Sequence, residues 1–260
     1  MMKKTITIML LGVVIIILNG CISNQTKKKE QTTISQEVKN SQKNYWVKNA
    51  GNRLKIINEG DFSTTISLDT LTEIPDLFAI GPIEGLKGEI TVYNGQISVA
   101  TIDNNKAKFT STASGVNAIF MVYGSSLKWK EITIEKTLSG IDEIENLIKK
   151  QLLANGLTTE NPFPFRIEGN VSYIDYHIIY KKDNAPHNII EHQKAKQKFR
   201  IDNEAVKIVG FWADSLGEEV YTHPGHRTHI HFLQKNKNLS GHIDNIQIKK
   251  GAILYLPLAK

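Results

Sequence analysis

Short runs rich in β-branched and aromatic residues, broken by Gly, Asn and Asp, recur through most of this chain, and that rhythm restricts it to a β-rich fold. The runs are "GEITVYNGQISVATID", "AIFMVYG", "KWKEITIEKT", "FRIEGNVSYIDYHIIYK", "AVKIVGFWA", "THIHFLQ" and "HIDNIQIKKGAILYLPL", with "RLKIINEG" of the same character. In "VYNGQI" the pair Asn94-Gly95 separates two such runs. A type I′ hairpin turn needs two positive φ angles, which these residue types tolerate, so a hairpin is predicted here. One helix is expected in "SGIDEIENLIKKQLLANG", where Ile141, Ile144, Leu147, Ile148 and Leu152 form an apolar stripe. Ser139 or Asp142 can cap its start and Gly156 can end it. "HNIIEHQKAKQKF" is a second, weaker helical segment. No internal repeat is visible, and no Walker or Rossmann glycine loop is present, which argues against the usual nucleotide sites. The expected class is therefore α/β with strands dominant.

The N-terminus, "MMKKTITIMLLGVVIIILNGC", has two lysines and an apolar run from Ile6 to Leu18. That run falls short of the roughly 20 apolar residues of a comfortable membrane span and suits a secretory leader, residues 1–20. "LNGC" resembles the lipobox of bacterial lipoproteins, which implies that Cys21 is lipidated and anchors the protein outside the cytoplasm. Cys21 is the only cysteine of the chain, so a lipidated Cys21 leaves neither a thiol nucleophile nor a thiolate metal site. Residues 21–44 are polar and read as a tether. The 32 basic side chains, less Lys3 and Lys4 of the leader, stand against 26 acidic ones, a net of +4. Beyond "KKK" at 27–29 the cations are interleaved with acids, so nucleic acid is not an expected partner.

Five of the eight histidines fall within "HPGHRTHIHFLQKNKNLSGH", residues 223–242. Side chains two apart on a strand share a face, so His229 and His231 point together. If the polar "KNKN" turn is centred between Asn236 and Lys237, His242 on the returning strand falls opposite His231 and on the same face. Three neutral imidazoles without cysteine describe a catalytic zinc site with a position open to substrate, and other divalent metals suit the same ligands. The plainer reading is two solvent-facing histidines with a third in a core hydrogen bond. His223 and His226, around a Pro-Gly turn, read either as contacts to substrate or to the metal's ligands or, as is commoner for loop histidines, as residues in solvent; His187 and His192 read as surface residues, and His177 as a sheet histidine.

"GFWADSLGEEVYTHPGHRTHIHFLQKNKNLSGHIDN" resembles the C-terminal signature of the acetolactate decarboxylases: a Gly-Phe strand, a Pro-Gly turn, an H-x-H pair, a polar turn and a Gly-His. "LFAIGPIEGLKGEITVYNGQISVA" is similar to that family's Gly-Glu followed by a hairpin, and "ENPFPFRIEGNVSYIDYHII" to its arginine before an acid-Gly pair. The resemblance implies that His229, His231 and His242 hold zinc, that Glu89 is an acid near the metal, and that Arg166 meets the substrate. It further implies a homodimer and two parts: a mixed sheet with one helix over 45–160, and a small closed β-barrel carrying the histidines over 161–260. One departure stands out. The family pattern has a further glutamate beyond the last histidine, whereas here no acid follows Asp244, which leaves Glu84 and Glu168 as possible substitutes.

The chemistry so implied is loss of carbon dioxide from a small 2-hydroxy-3-keto acid, acetolactate giving acetoin, with Glu89 handling the proton and Arg166 holding the carboxylate. The competing readings are a lipid-anchored protein that binds metal or ligand without turnover, and a structural surface lipoprotein.

Overall fold

Asn94 and Gly95 take φ angles of +49° and +76°, and Tyr93 faces Gln96 across the turn, so the hairpin read from "VYNGQI" is present. The computed structural model describes residues 44–152, 154, 157–158, 160–234 and 239–258. The leader, Cys21, the tether, Gly156 and the "KNKN" turn at 235–238 lie outside the described residues.

Among the described residues sixteen strands follow in chain order: β1 (Tyr45–Ala50), β2 (Ile66–Ser67), β3 (Leu77–Pro82), β4 (Gly88–Tyr93), β5 (Gln96–Asp103), β6 (Lys106–Thr110), β7 (Asn117–Ala118), β8 (Met121–Ser126), β9 (Trp129–Thr133), β10 (Leu138–Ser139), β11 (Phe163–Ile179), β12 (Lys196–Asp202), β13 (Ala205–Trp212), β14 (Thr228–Gln234), β15 (Ser240–Ile248) and β16 (Ile253–Pro257). They form a six-stranded sheet in the order β1-β8-β3-β4-β5-β6, an eight-stranded sheet in the order β10-β15-β14-β13-β11-β16-β9 with β12 also on β11, and the small pair β2-β7. The chain crosses into the eight-stranded sheet already at β9, ahead of residue 160, and Lys43–Lys260 is one compact unit.

β11 carries the second sheet. Its first half pairs with β13 and β16; its second half pairs with β12 and β15, with register shifts between Val171 and Tyr173 and between Asp175 and Tyr176. Such irregularities bend a strand and sharpen its twist. β11 thereby swings round to meet β15, which also pairs with β14.

The expected helix spans Ile141–Leu152, with Ile144, Ile148 and Leu152 buried. At its start the Glu143 carboxylate reaches back to accept from the Ser139 N–H at 2.8 Å, using a donor the helix cannot satisfy itself. The second helical segment is shorter than expected, Ile189–Lys194, capped by Asn188; the rest of it becomes β12. "RLKIINEG" departs from the strand reading. Lys55–Glu59 is a π-helical turn ended by Gly60 at φ +66°; only Ile56 of the run is deeply buried, and among the described residues no strand pairs with it.

A large core packs the helix against the eight-stranded sheet, through residues such as Phe165, Ile174, Ile230 and Phe232. A second core joins the two sheets, with Phe78 and Ile80 of β3 against Val209, Phe211 and Leu233. The site lies where these sheets meet.

Candidate metal centre

β14 alternates as the sequence requires. Ile230 and Phe232 enter the large core, and His229 and His231 face the other way, both buried. β14 and β15 are antiparallel with His231 opposite His242, which puts the third ring on that face. Gly241 allows the close approach behind it: a Cβ there would come within 2.6 Å of Tyr176 Cδ2 and 3.0 Å of the His177 carbonyl oxygen on β11. His177 is itself the cross-strand partner of His242 on that side.

Five imidazoles thus meet, and His242 is the hub. Its ring centroid lies 4.6 Å from His177, 4.9 Å from His223, 5.0 Å from His229 and 5.2 Å from His231. Of the two readings open to His223, the one in solvent fails: the ring packs into the cluster, 4.7 Å from His229. No periodic pattern marks it, since it sits in a loop; only the density of histidines in the segment hinted at it.

The six-stranded sheet closes the other wall. On β4, Ile90 and Val92 enter an apolar core, while Glu89 and Thr91 face the histidines. The Thr91 hydroxyl and His231 Nδ1 share a hydrogen bond of 3.0 Å. Ser98 of β5 and Ser240 of β15 share another of 2.8 Å. Glu89 is buried, its carboxylate 3.9 Å from His231 Nε2 and 4.0 Å from His177 Nε2, and one of its oxygens accepts from the Ile179 N–H at 3.4 Å. Burial pushes the Glu89 carboxyl up to about 8, against the smaller pulls of the Ile179 N–H and Lys196. His177 Nδ1 is bonded to Asp244 at 2.8 Å.

Burial holds His177, His223, His229, His231 and His242 below the ordinary imidazole value, His229 down to about 3. They are therefore neutral, the form that binds a metal. The His229 ring is also oriented by a bond to the Tyr221 backbone carbonyl. Within the five-ring cluster two buried ring nitrogens, Nε2 of His223 and of His231, have no hydrogen-bond partner among the described residues. Orphaned donors of this kind are costly unless an ion or water meets them. His223, His229 and His242 offer donor atoms that all lie within 4.8 Å of one another, and His177, His242 and Asp244 form a second such group. An all-imidazole set suits a borderline or transition metal rather than magnesium or calcium. The residues present fit a divalent ion.

The cluster floors a pocket of about 660 Å³, open mouth included, whose walls hold Arg53, Ile56, Glu89, His192 and Lys196. His192, expected on the surface, lines it, and burial lowers its imidazole to about 4. Arg53 is paired with Glu219; Lys196 makes no ion pair among the described residues. Arg166 is not brought to this pocket. Its guanidinium lies over the Tyr255 ring at 3.9 Å and bonds Tyr93 and Glu168 at 3.2 and 3.0 Å. Glu168 is held in that same network, and Glu84 accepts from Asn117 on an exposed face, so neither substitute acid reaches the histidines. His226 faces Glu145, 3.9 Å away, and His187 bonds the Ile57 carbonyl at 2.9 Å.

Fold and site together define a β-rich protein that gathers imidazoles and a buried carboxyl at a small pocket. The model of the alpha-acetolactate decarboxylase family matches residues 51–259, and the chain belongs to that family. A relative named alpha-acetolactate decarboxylase from Methanosarcina mazei is 21% identical over 174 residues, which cover 67% of this chain and 57% of the relative. The match thus spans little more than half of that relative's length. Among solved structures, alpha-acetolactate decarboxylase from Bacillus subtilis strain 168 superposes with a TM-score of 0.62 at 16% identity, covering 82% of this chain and 84% of that one. A protein of unknown function from Staphylococcus aureus, described as similar to alpha-acetolactate decarboxylase, gives 0.61 at 15% identity, over 81% and 84%. Both likenesses concern the fold.

Proposed function

We propose that the protein decarboxylates a small 2-hydroxy-3-keto acid, acetolactate to acetoin, at the histidine-floored pocket, with zinc or another divalent ion held by His229, His231 and His242. The observation that carries this reading is the hub of imidazoles beside buried Glu89, in a chain of this family. When bound, the ion supplies Lewis-acid stabilisation of the charge that appears on oxygen as carbon dioxide leaves. Lys196 and Arg53 are the cations of the pocket wall, and Lys196, which makes no ion pair among the described residues, holds the substrate carboxylate in the role that the resemblance gives to Arg166. Ile56, Phe120 and Ile179 give the pocket an apolar side that suits the substrate's methyl groups and limits water. Glu89 lies in the same walls and handles the proton for the carbon that loses carbon dioxide, its carboxyl raised by burial and drawn back down by a bound ion.

The test is the purified full chain, its bound metal measured, assayed for acetoin from racemic acetolactate beside His229→Ala. Metal with turnover that the variant loses supports the proposal. Metal without turnover favours the non-catalytic binding protein, and neither metal nor turnover removes both. The return of β15 onto β11 through β13 and β14 supports reading this part of the sheet as the small closed barrel. We also propose the lipid anchor at Cys21, supported by "LNGC" at the end of the apolar leader. Cys21→Ser then moves the protein out of the membrane fraction; lipid labelling that persists in the variant overturns the assignment.

A further inference from the structure

The turn before β14 is built to hold one side chain in place. Thr222 is buried and donates its hydroxyl proton to the His226 carbonyl at 2.9 Å; the His226 N–H closes back on the His223 carbonyl at 3.1 Å; Gly225 turns the chain at φ +79°. The ring presented by this turn is His223, edge-on to His229 and His242 at 4.7 and 4.9 Å. Its Nε2 is buried without a hydrogen-bond partner. His231, by contrast, has Nδ1 bonded to Thr91, and it belongs to no group of donor atoms within 4.8 Å of one another among the described residues. The tightest all-histidine set is therefore His223, His229 and His242, which includes the one ring that no strand register places.

We propose that His223 is a metal ligand, closing the site from the loop side so that the ion is held by imidazoles from the turn, from β14 and from β15. This rests on the metal-centre reading above and adds a ligand to it. An unpartnered ring nitrogen with a hydrogen-bonded turn behind it is what a ligand requires: an arriving ion offsets its desolvation, and the turn limits the entropy lost on binding. The set, drawn from three segments, selects nitrogen-loving divalent ions such as Zn2+ or Co2+ over Mg2+.

The experiment uses the full chain stripped with a chelator and reloaded with Zn2+ or Co2+, without reference to turnover. Affinity is read by competition with a chromophoric chelator, and the coordination sphere by the visible spectrum of the Co2+ form. His223→Ala is expected to weaken metal at least about tenfold and to alter the Co2+ spectrum, with far-ultraviolet circular dichroism unchanged. His223→Cys provides a gain of signal that does not depend on the alanine variant's folding. A thiolate at that position gives a sulfur-to-Co2+ charge-transfer band that the wild-type chain, with Cys21 alone, lacks. Wild-type affinity and spectrum in His223→Ala, with no new band in His223→Cys, overturn the inference and leave the His229, His231 and His242 reading standing. A wild-type chain that holds no metal, whether Zn2+ or Co2+, overturns both.

Discussion

The guanidinium of Arg166 stacks on Tyr255 at 3.9 Å and lies 5.1 Å from the Trp129 ring centroid, while Tyr93 and Glu168 take its hydrogen bonds. A cation so engaged contributes to packing, by about 0.5–2 kcal/mol through its aromatic contacts. Lys196 lines the pocket and is near enough to His177 and Glu89 to lower both. Two substitutions separate the roles. Lys196→Ala is expected to raise KM for acetolactate about tenfold or more, the loss of roughly 1.4 kcal/mol of binding, with the melting temperature little changed. Arg166→Gln is expected to lower the melting temperature and leave KM within about twofold. Steady-state kinetics and thermal melts of both variants check this, and the reverse pattern would return the carboxylate to Arg166. In "FPFRIEGN" the arginine alternates correctly for a strand, but which face meets the pocket depends on where the neighbouring sheet lies, and that is not written in the local pattern.

Among the elements, the helix Ile141–Leu152 does more than cover the core. One carboxylate oxygen of Glu145 accepts from the Arg227 N–H at 2.8 Å, the Thr228 N–H at 2.9 Å and the Thr228 hydroxyl at 2.8 Å, so the helix pins the start of the histidine strand. Glu145→Ala leaves these donors without their acceptor and is expected to destabilise the protein by about 1–3 kcal/mol. Because β14 is the strand released, metal affinity should fall as well. Urea unfolding gives the first effect and chelator competition the second; unchanged values in both would show that β14 is fixed by its sheet neighbours alone. The helix itself was legible from its apolar stripe, and the β14–β15 register from "HIH", a four-residue turn and "GH". The Glu145 contact was not legible. It joins residues 83 positions apart through a carboxylate on the helix's polar side, where sequence periodicity predicts only solvent.

Across the whole molecule, the cost of the cluster appears as a pH dependence. Burial holds His177, His192, His223, His229, His231 and His242 below the ordinary imidazole value, His192 to about 4 and His229 to about 3, whereas unfolded imidazoles protonate near 6.5. Below that value the unfolded chain binds more protons, so stability is fully present above about pH 6.5 and declines as pH falls toward the folded values. Glu89 acts in the opposite sense, its carboxyl staying protonated up to about 8, but it is one group against six. Chelator-treated protein should therefore show a lower urea midpoint at about pH 5 than at about pH 7.5, and saturating Zn2+ at the higher pH should raise it further; equal midpoints would mean that the rings are not held neutral. By itself the sequence determined a β-rich chain, its Asn-Gly hairpin, one amphipathic helix and the pairing of His231 with His242, because each follows from periodicity and turn chemistry within a few residues. Only the tertiary structure decided that His177, His192 and His223 join the pocket, that Glu89 is buried there, and that Lys196 lines its wall while Arg166 packs elsewhere on Tyr255. Those outcomes depend on how two sheets meet and on the bend in β11, and burial between distant segments leaves no periodic trace along the chain.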